Sequence, residues 1–143
     1  MLGYVAYVNE WDFAKAERNL ARALDLESGS PQWLRLYGDV AAVRKNFQDA
    51  EERLNAGQRI LPDSLVIRHA RAMLAFHHRD YRKAAVIARE LTQRKPDYPL
   101  AYWIAGLAAE QQGHSAEALS QFDTCLKLSP GDPRCVRGAG RKH

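Results

Sequence analysis

The sequence predicts an all-α protein built as a solenoid of antiparallel helix pairs. Pro62, Pro96 and Pro130 are separated from one another by 34 residues. Small residues recur with the same period at two further positions, which hold Gly38, Ala72, Gly106, Ala50, Ala84 and Ala118. A fixed period of about 20–50 residues is typical of stacked helical repeats, because each repeat is one supersecondary unit that packs on its neighbours.

The period divides the chain into three full repeats, residues 31–64, 65–98 and 99–132. Apolar residues spaced by three and four predict two helices in each repeat, helix A and helix B. In the first repeat, we expect helix A from Pro31 to Arg44 and helix B from Phe47 to Leu61.

Capping residues mark where these helices begin and end. Ser30 is a predicted N-cap with Pro31 at the first helical position, and either Asp63 or Ser64 is expected to cap the next helix A. Gly113 predicts a left-handed turn inside the third repeat, followed by Ser115 as an N-cap.

Both ends of the chain predict incomplete repeats. Residues 1–30 form a partial repeat, in which Asn9–Asp12 separates a short apolar helix from a second helix that begins at Trp11. Residues 133–143 are expected to be a basic tail or a truncated helix. We therefore interpret the chain as one domain excised from a longer protein, with a short natural protein as the alternative.

The composition, 46% apolar and 27% charged over 143 residues, is that of one globular domain. No apolar run approaches the ~18–20 residues of a membrane span, and the first ten residues lack the pattern of a signal peptide. For the two cysteines we expect a buried core thiol at Cys125 and a tail thiol at Cys135, not a disulfide or a metal site. Free thiols fit a reducing, cytoplasmic compartment.

Positive charge is concentrated in the middle repeat. Residues 65–98 carry eight Lys or Arg against three Asp or Glu. Such a face could steer an acidic partner, although a solvated basic face that only aids solubility explains it equally simply.

The sequence contains none of the common catalytic or nucleotide-binding motifs, so we expect no enzymatic activity and no cofactor. His69, Met73 and His77 follow one another at intervals of four residues. Because His69 and His77 would lie about 12 Å apart along a helix, they are too distant to share one metal ion.

The 34-residue period, together with Tyr102, Gly106, Ala118, Phe122 and Pro130, resembles the tetratricopeptide repeat family. The resemblance implies a right-handed solenoid. It also implies that the recurring small residues lie where helix A crosses helix B, and that large residues such as Phe47, Tyr81 and Phe122 fill the space between repeats. Arg68 and Arg71 replace the usual apolar residues of helix A, so we expect that helix to tilt or to be more open.

The family resemblance also implies a concave binding surface, lined by five positions of each helix A. In this sequence the surface, termed the predicted groove, consists of Gln32, Arg35, Asp39, His69, Met73, Phe76, His77, Trp103, Leu107 and Glu110. Aromatic residues, Met and Arg are enriched at protein-binding hot spots, so we expect a protein or peptide partner.

Three alternatives accompany this interpretation. Flanking helices or a second copy of the chain could cover the groove, and the second case would make a homodimer. Nucleic-acid binding is not expected, because the groove positions show no repeating side-chain code. A clamp for chaperone carboxyl termini is not expected either, because only the first of the five clamp positions matches the family pattern: Arg35, Asp39, Ala70, Leu100 and Ile104.

A second resemblance concerns the segment Glu10–Leu26, which contains Trp11, Asp12, Phe13 and Ala16. It is similar to the start of the repeat regions attached to bacterial winged-helix transcriptional regulators. In those proteins the repeats are a sensory or protein-contact arm. The resemblance implies that this chain regulates transcription without itself touching DNA.

Overall fold

The computed structural model of the chain describes residues 2–27 and 29–140, with side chains from residue 12 onward in those ranges. All regular structure within these ranges is α-helical, which confirms the all-α prediction. The helices are α1 (Leu2–Leu26), α2 (Pro31–Val43), α3 (Phe47–Ile60), α4 (Leu65–His77), α5 (Tyr81–Arg94), α6 (Pro99–Gln111), α7 (Ser115–Leu128) and α8 (Pro133–Ala139). None of the helices in the described ranges combines the length and the apolar character that crossing a bilayer requires.

The chain folds as two compact units, residues 1–74 and 75–143. In the first unit, α2 packs against α1 and α3. Its core is aliphatic, with one tyrosine among the fully buried side chains: Leu24, Leu34, Tyr37, Ala41, Ala50, Leu54 and Ile67.

In the second unit, α6 packs against α5 and α7, and α8 packs on both α6 and α7. One core cluster joins Ala109, Ala118, Phe122 and Ala139. Helix α8 therefore belongs to the packed structure and is not a detached tail.

The turns inside the three helix pairs share one backbone geometry. Lys45, Arg79 and Gly113, each 34 residues from the next, have φ values of 63°, 62° and 81°. The left-handed conformation predicted at Gly113 is confirmed. At the other two turns a side chain occupies this conformation, which is costly for residues other than glycine.

The N-caps agree only in part with the sequence predictions. The hydroxyl of Ser64 accepts a hydrogen bond from the Ile67 N–H at 3.3 Å. Ser30 occupies the N-cap position of α2, but its side chain makes no capping hydrogen bond. Ser115 is not an N-cap, because the His114 carbonyl already accepts from the Ala118 N–H at 2.9 Å and so starts α7 one residue earlier.

The predicted break at Asn9–Asp12 is wrong, because α1 continues through it. This segment contains neither Gly nor Pro, so its backbone has no residue that ends a helix. The side chains of residues 2–11 lie outside the described part of the chain.

The expectation of two free thiols is also wrong. Cys125 on α7 and Cys135 on α8 form a disulfide with a Cα–Cα distance of 5.4 Å, and neither residue is exposed to solvent. The packing of α8 on α7 brings the two residues within bridging distance. Because the two cysteines are not free thiols, they do not indicate a reducing compartment, and the cytoplasmic location stays a prediction.

The two arginines of the second repeat do not open their helix locally, because α4 is continuous from Leu65 to His77. Arg68 is only 7% exposed, and its Nη2 donates a hydrogen bond to the Pro62 carbonyl oxygen at 2.6 Å. Arg71 Nε donates to Asn55 Oδ1 at 3.1 Å. Paired guanidinium groups therefore take the place of the usual apolar residues.

Candidate functional site

The ten residues of the predicted groove lie on α2, α4 and α6, five of them in each compact unit. None of them is buried, although some are half-buried. The residues between them on the same helices, such as Leu34 and Ile104, are fully buried. On each of these helices, one row of side chains is therefore buried in the core, and the row that contains the groove residues lies outside it.

The α2 part of the predicted groove is polar and solvated. Gln32, Arg35 and Asp39 are exposed. Arg35 Nη1 lies 4.0 Å from Asp39 Oδ2, in a pair whose side chains are 44% and 61% exposed. An exposed ion pair one helical turn apart contributes little to stability.

The α4 part provides an anchored aromatic ring. Phe76 is half-buried and packs on the cluster of Ala75, Ala84 and Ala108. Its ring lies 5.3 Å, centroid to centroid, from that of Tyr81 in an edge-to-face arrangement. This packing fixes the ring in place before any partner arrives. His69 and Met73 are half-buried on the same helix, whereas His77 is exposed.

The α6 part contains Trp103, Leu107 and Glu110, which are spaced by four and three residues and are all half-buried. Trp103 and Leu107 pack against the cluster that contains Phe122 and Ala139. The Arg134 guanidinium lies 5.5 Å from the centroid of the Trp103 ring, within the range of a cation–π contact. Helix α8 therefore supplies an additional residue beside this part of the site.

Arg134 was not among the site residues predicted from the sequence. The signal that could have found it is the Asp132–Pro133 dipeptide, because an N-cap followed by proline begins a helix. Asp132 does cap α8, accepting a hydrogen bond from the Arg134 N–H at 2.9 Å. This bond, ahead of the side-chain contacts with Arg134, holds the pKa of Asp132 below its usual value.

Close packing on Phe122 positions α6 and α8. A Cβ atom on Gly106 would lie 2.5 Å from the Phe122 ring, and one on Gly138 would lie 2.3 Å from it. Both distances are too short for any side chain. The backbones of α6 and α8 therefore rest directly on the ring, which is 1% exposed.

A second cluster, in the first unit, was not predicted. Asp49 accepts hydrogen bonds from the Tyr37 hydroxyl and from Arg53 Nε, and Arg53 Nη1 donates to Asp25 Oδ1 at 3.2 Å. A surface pocket of about 330 Å³ lies beside it, lined by Leu24, Asp25, Asp49, Glu52, Arg53 and Ala56. The spacing of Asp49 and Arg53 by one helical turn was the available sequence signal.

The cluster shifts the pKa values of Tyr37 and Asp49 in opposite directions. Burial, followed by the hydrogen bond to Asp49, raises the pKa of Tyr37 above its usual value. Burial raises the pKa of Asp49, but the hydrogen bonds from Tyr37 and Arg53 outweigh it and hold that pKa below its usual value. The charged network is therefore intact at neutral pH.

The described residues can be examined for two kinds of ligand, a metal ion and a terminal carboxylate. No group of three or more His, Cys, Asp or Glu residues is gathered there in a way that could hold a metal ion. At three of the clamp positions considered in the sequence, Ala70 and Ile104 are buried and Leu100 is half-buried. These apolar side chains offer no donor to a carboxylate.

Comparison with known proteins identifies the family of the chain. A sequence model described as tetratricopeptide repeat matches residues 5–64 and 69–133. This chain belongs to the tetratricopeptide repeat family. The predicted fold class, a solenoid of helix pairs of this family, is confirmed. No curated protein gave a significant match to the sequence.

Solved structures share the tetratricopeptide repeat fold at low sequence identity. A crystal structure of MamA is 19% identical, with a TM-score of 0.72 over 92% of this chain and 77% of that one. The Sgt2 repeat domain from Aspergillus fumigatus is 21% identical, with a TM-score of 0.71 over 78% and 76%. The first repeat domain of Spaghetti (RPAP3), bound to the HSP90 peptide SRMEEVD, is 18% identical, with a TM-score of 0.70 over 80% and 91%.

Proposed function

We propose that this tetratricopeptide repeat chain is a protein-interaction scaffold that binds a peptide or a helix through the predicted groove. The observation that carries the proposal is the α6 stripe, where Trp103 and Leu107 are apolar, ordered by packing and still partly open to solvent. Partly exposed, rigid aromatic residues are the usual anchors of protein interfaces, because ordering them on binding costs little entropy.

The chemistry of the groove favours an amphipathic partner over an acidic tail. The Spaghetti repeat domain binds a peptide that ends in Glu-Glu-Val-Asp. In this chain the corresponding clamp positions include the buried Ala70 and Ile104, so we propose a different occupant. An apolar side chain of the partner would contact Trp103 or Phe76, and its polar groups would meet Glu110.

We further propose that the scaffold is the contact arm of a larger bacterial regulator of transcription, located in the cytoplasm. The support is the resemblance of residues 10–26 to the repeat regions of winged-helix regulators. The arm would recruit or sense a partner and would itself carry out no catalysis. Isolation of the full-length protein with a winged-helix domain in the same chain would test this context.

The binding proposal is tested by affinity capture with three variants of the chain. Trp103→Ala and Arg35→Glu each change one part of the predicted groove, and Val86→Ala removes an aliphatic side chain, 48% exposed, from outside it. Circular dichroism confirms that all three are folded. We expect a partner that the parent and Val86→Ala retain and that Trp103→Ala loses. Equal retention by all variants would contradict the proposal.

Self-association is the alternative function that one observation favours. The first unit exposes three aliphatic side chains, Leu26, Val43 and Ile60, to 90%, 59% and 55%. Exposed apolar surface on a repeat protein often forms a contact between copies. Sedimentation velocity at increasing concentration distinguishes the two functions, since a scaffold for another protein stays monomeric and a self-association module shifts to a dimer.

A further inference from the structure

We propose that the Cys125–Cys135 disulfide is a redox latch, which holds α8 on α6 and α7 when oxidised and lets α8 open when a dithiol reduces it. The latch lies entirely within the second compact unit. It operates whether or not the predicted groove binds a partner, and its test needs no partner.

The buried noncovalent contacts of helix α8 are made by small residues. The helix contains seven residues, and its buried residues are Cys135, Gly138 and Ala139. Its largest aliphatic side chain, Val136, is 48% exposed. Small side chains remove little apolar surface from water, and a helix of two turns is marginal by itself. The covalent bond therefore adds to a small noncovalent contact between α8 and the rest of the unit.

The repeat register shows that the bond joins two positions that are buried in every repeat. Cys125 and Cys135 follow Leu91 and Ala101 by 34 residues, and these follow Gly57 and Ile67 by 34. All six residues are buried. The first two pairs of positions hold apolar residues or glycine, whereas the last holds two sulfur atoms. Reduction can therefore loosen the α7–α8 contact without affecting the equivalent positions elsewhere.

Helix α8 covers apolar surface that its release would uncover. The backbone at Gly138 lies directly on the Phe122 ring, and Ala139 belongs to the same cluster. Arg134 lies over the Trp103 ring. Opening of α8 would expose Phe122, which is now 1% accessible, and one side of Trp103.

The redox step is an ordinary thiol–disulfide exchange. A thiolate of the dithiol attacks one cysteine sulfur and forms a mixed disulfide, and the second thiol of the reductant then displaces the protein. The two cysteines gain two electrons and two protons and become thiols, while the dithiol becomes a cyclic disulfide. Because both cysteines are buried, the attack requires transient opening of α8.

Hydrogen exchange with and without dithiothreitol tests the latch. Alkylation after denaturation first establishes the oxidised state, in which neither cysteine reacts. We expect the amides of residues 136–140 to exchange about tenfold faster or more after reduction, while the amides of α2 and α3 are unchanged. Equal exchange of α8 in the two states, or two reactive cysteines in the untreated protein, would overturn the proposal.

A matched variant and a second probe complete the test. Cys125→Leu combined with Cys135→Ala introduces the residues found 34 positions earlier, Leu91 and Ala101, and we expect α8 exchange in this variant to be the same with and without dithiothreitol. In a Trp11→Phe, Trp33→Phe background, acrylamide quenching of Trp103 should increase about twofold on reduction. Unchanged quenching would show that α8 does not cover Trp103 and would overturn that part of the proposal.

Discussion

The α2–α3 pair and the α6–α7 pair occupy the same positions of the repeat, two periods apart, but different side chains hold them together. In the first pair a Cβ on Gly38 would lie 3.7 Å from Leu54, an ordinary contact. In the second pair a Cβ on Gly106 would lie 2.5 Å from Phe122. Glycine is therefore required at this position only where the facing residue is aromatic.

The polar contacts of the two pairs differ as well. Tyr37, Asp49 and Arg53 form a hydrogen-bonded network in the first pair. The same positions of the second pair hold Ala105, Glu117 and Gln121, which cannot form it. The two pairs share backbone geometry, but the first adds a charged network, and the second adds a buried aromatic ring, Phe122, that packs against the α6 backbone.

The largest expected effect is common to both pairs. Ala50 and Ala118 are 0% and 3% exposed, so a leucine at either position has no space. We expect Ala50→Leu and Ala118→Leu each to lower the free energy of unfolding by about 3 kcal/mol. Urea denaturation followed by circular dichroism measures both. An unchanged midpoint for Ala118→Leu would mean that the register of the repeats is wrong.

A glycine substitution should separate the two pairs. Gly106→Ala forces Cβ against the Phe122 ring, and we expect a loss of about 1–3 kcal/mol in stability. Gly38→Ala has space for Cβ and gains helix propensity, so we expect a gain of up to about 1 kcal/mol. Thermal and urea denaturation of the two variants measure the difference. If both substitutions stabilised the chain, or both destabilised it, the proposed difference between the two helix pairs would be contradicted.

The charged network predicts an acid-sensitive contribution in the first pair alone. Because the pKa of Asp49 is lowered in the folded state, its contribution is present above its unfolded value near ~4 and is lost as pH falls through the folded value. Tyr37→Phe should cost about 1–2 kcal/mol at neutral pH, and stability should then fall less steeply below pH ~4.

The control for this prediction is Tyr102→Phe. The Tyr102 hydroxyl donates to the Pro96 carbonyl oxygen at 2.7 Å, so its partner carries no charge. We expect this variant to cost about 0.5–1 kcal/mol and to leave the pH dependence of stability unchanged. Urea midpoints measured between neutral and acidic pH compare the two variants. If Tyr102→Phe changed the pH dependence of stability as much as Tyr37→Phe, the charged network would not be its cause.

The turns should show the smallest effect. Lys45 and Gly113 share a left-handed backbone, which costs energy at lysine but not at glycine. We expect Lys45→Gly to stabilise the chain and Gly113→Lys to destabilise it, each by about 0.5–1 kcal/mol. Arg79→Gly provides a repeat of the first change in the other compact unit. Midpoints from thermal denaturation should shift in opposite directions for the first two variants.

Features that depend on the local backbone could be predicted from the sequence. The 34-residue period located the helices, since Pro31 and Phe47 begin α2 and α3 as expected. The left-handed turn at Gly113 followed from the residue type. The break predicted at Asn9–Asp12 failed because polar residues alone do not end a helix when Gly and Pro are absent.

Features that depend on which residue faces a given position in the folded chain could not be predicted from the composition. The disulfide was missed because two cysteines in a chain of this size give no framework, and because Cys135 was predicted to be a tail thiol although it is buried on α8. Small residues at Gly38 and Gly106 look alike in sequence, and only the facing Leu54 or Phe122 distinguishes their roles. The predicted groove itself remains a prediction, because no bound partner tests it.

The most direct measurement of the central claim is a double-mutant cycle of Gly106→Ala and Phe122→Leu. If the aromatic ring is what requires glycine, Gly106→Ala in the Phe122→Leu background should cost almost nothing, as in the α2–α3 pair. We then expect a coupling free energy of about 1–3 kcal/mol from urea denaturation. Additive effects of the two substitutions would contradict the account, because they would show that the ring and the glycine act independently.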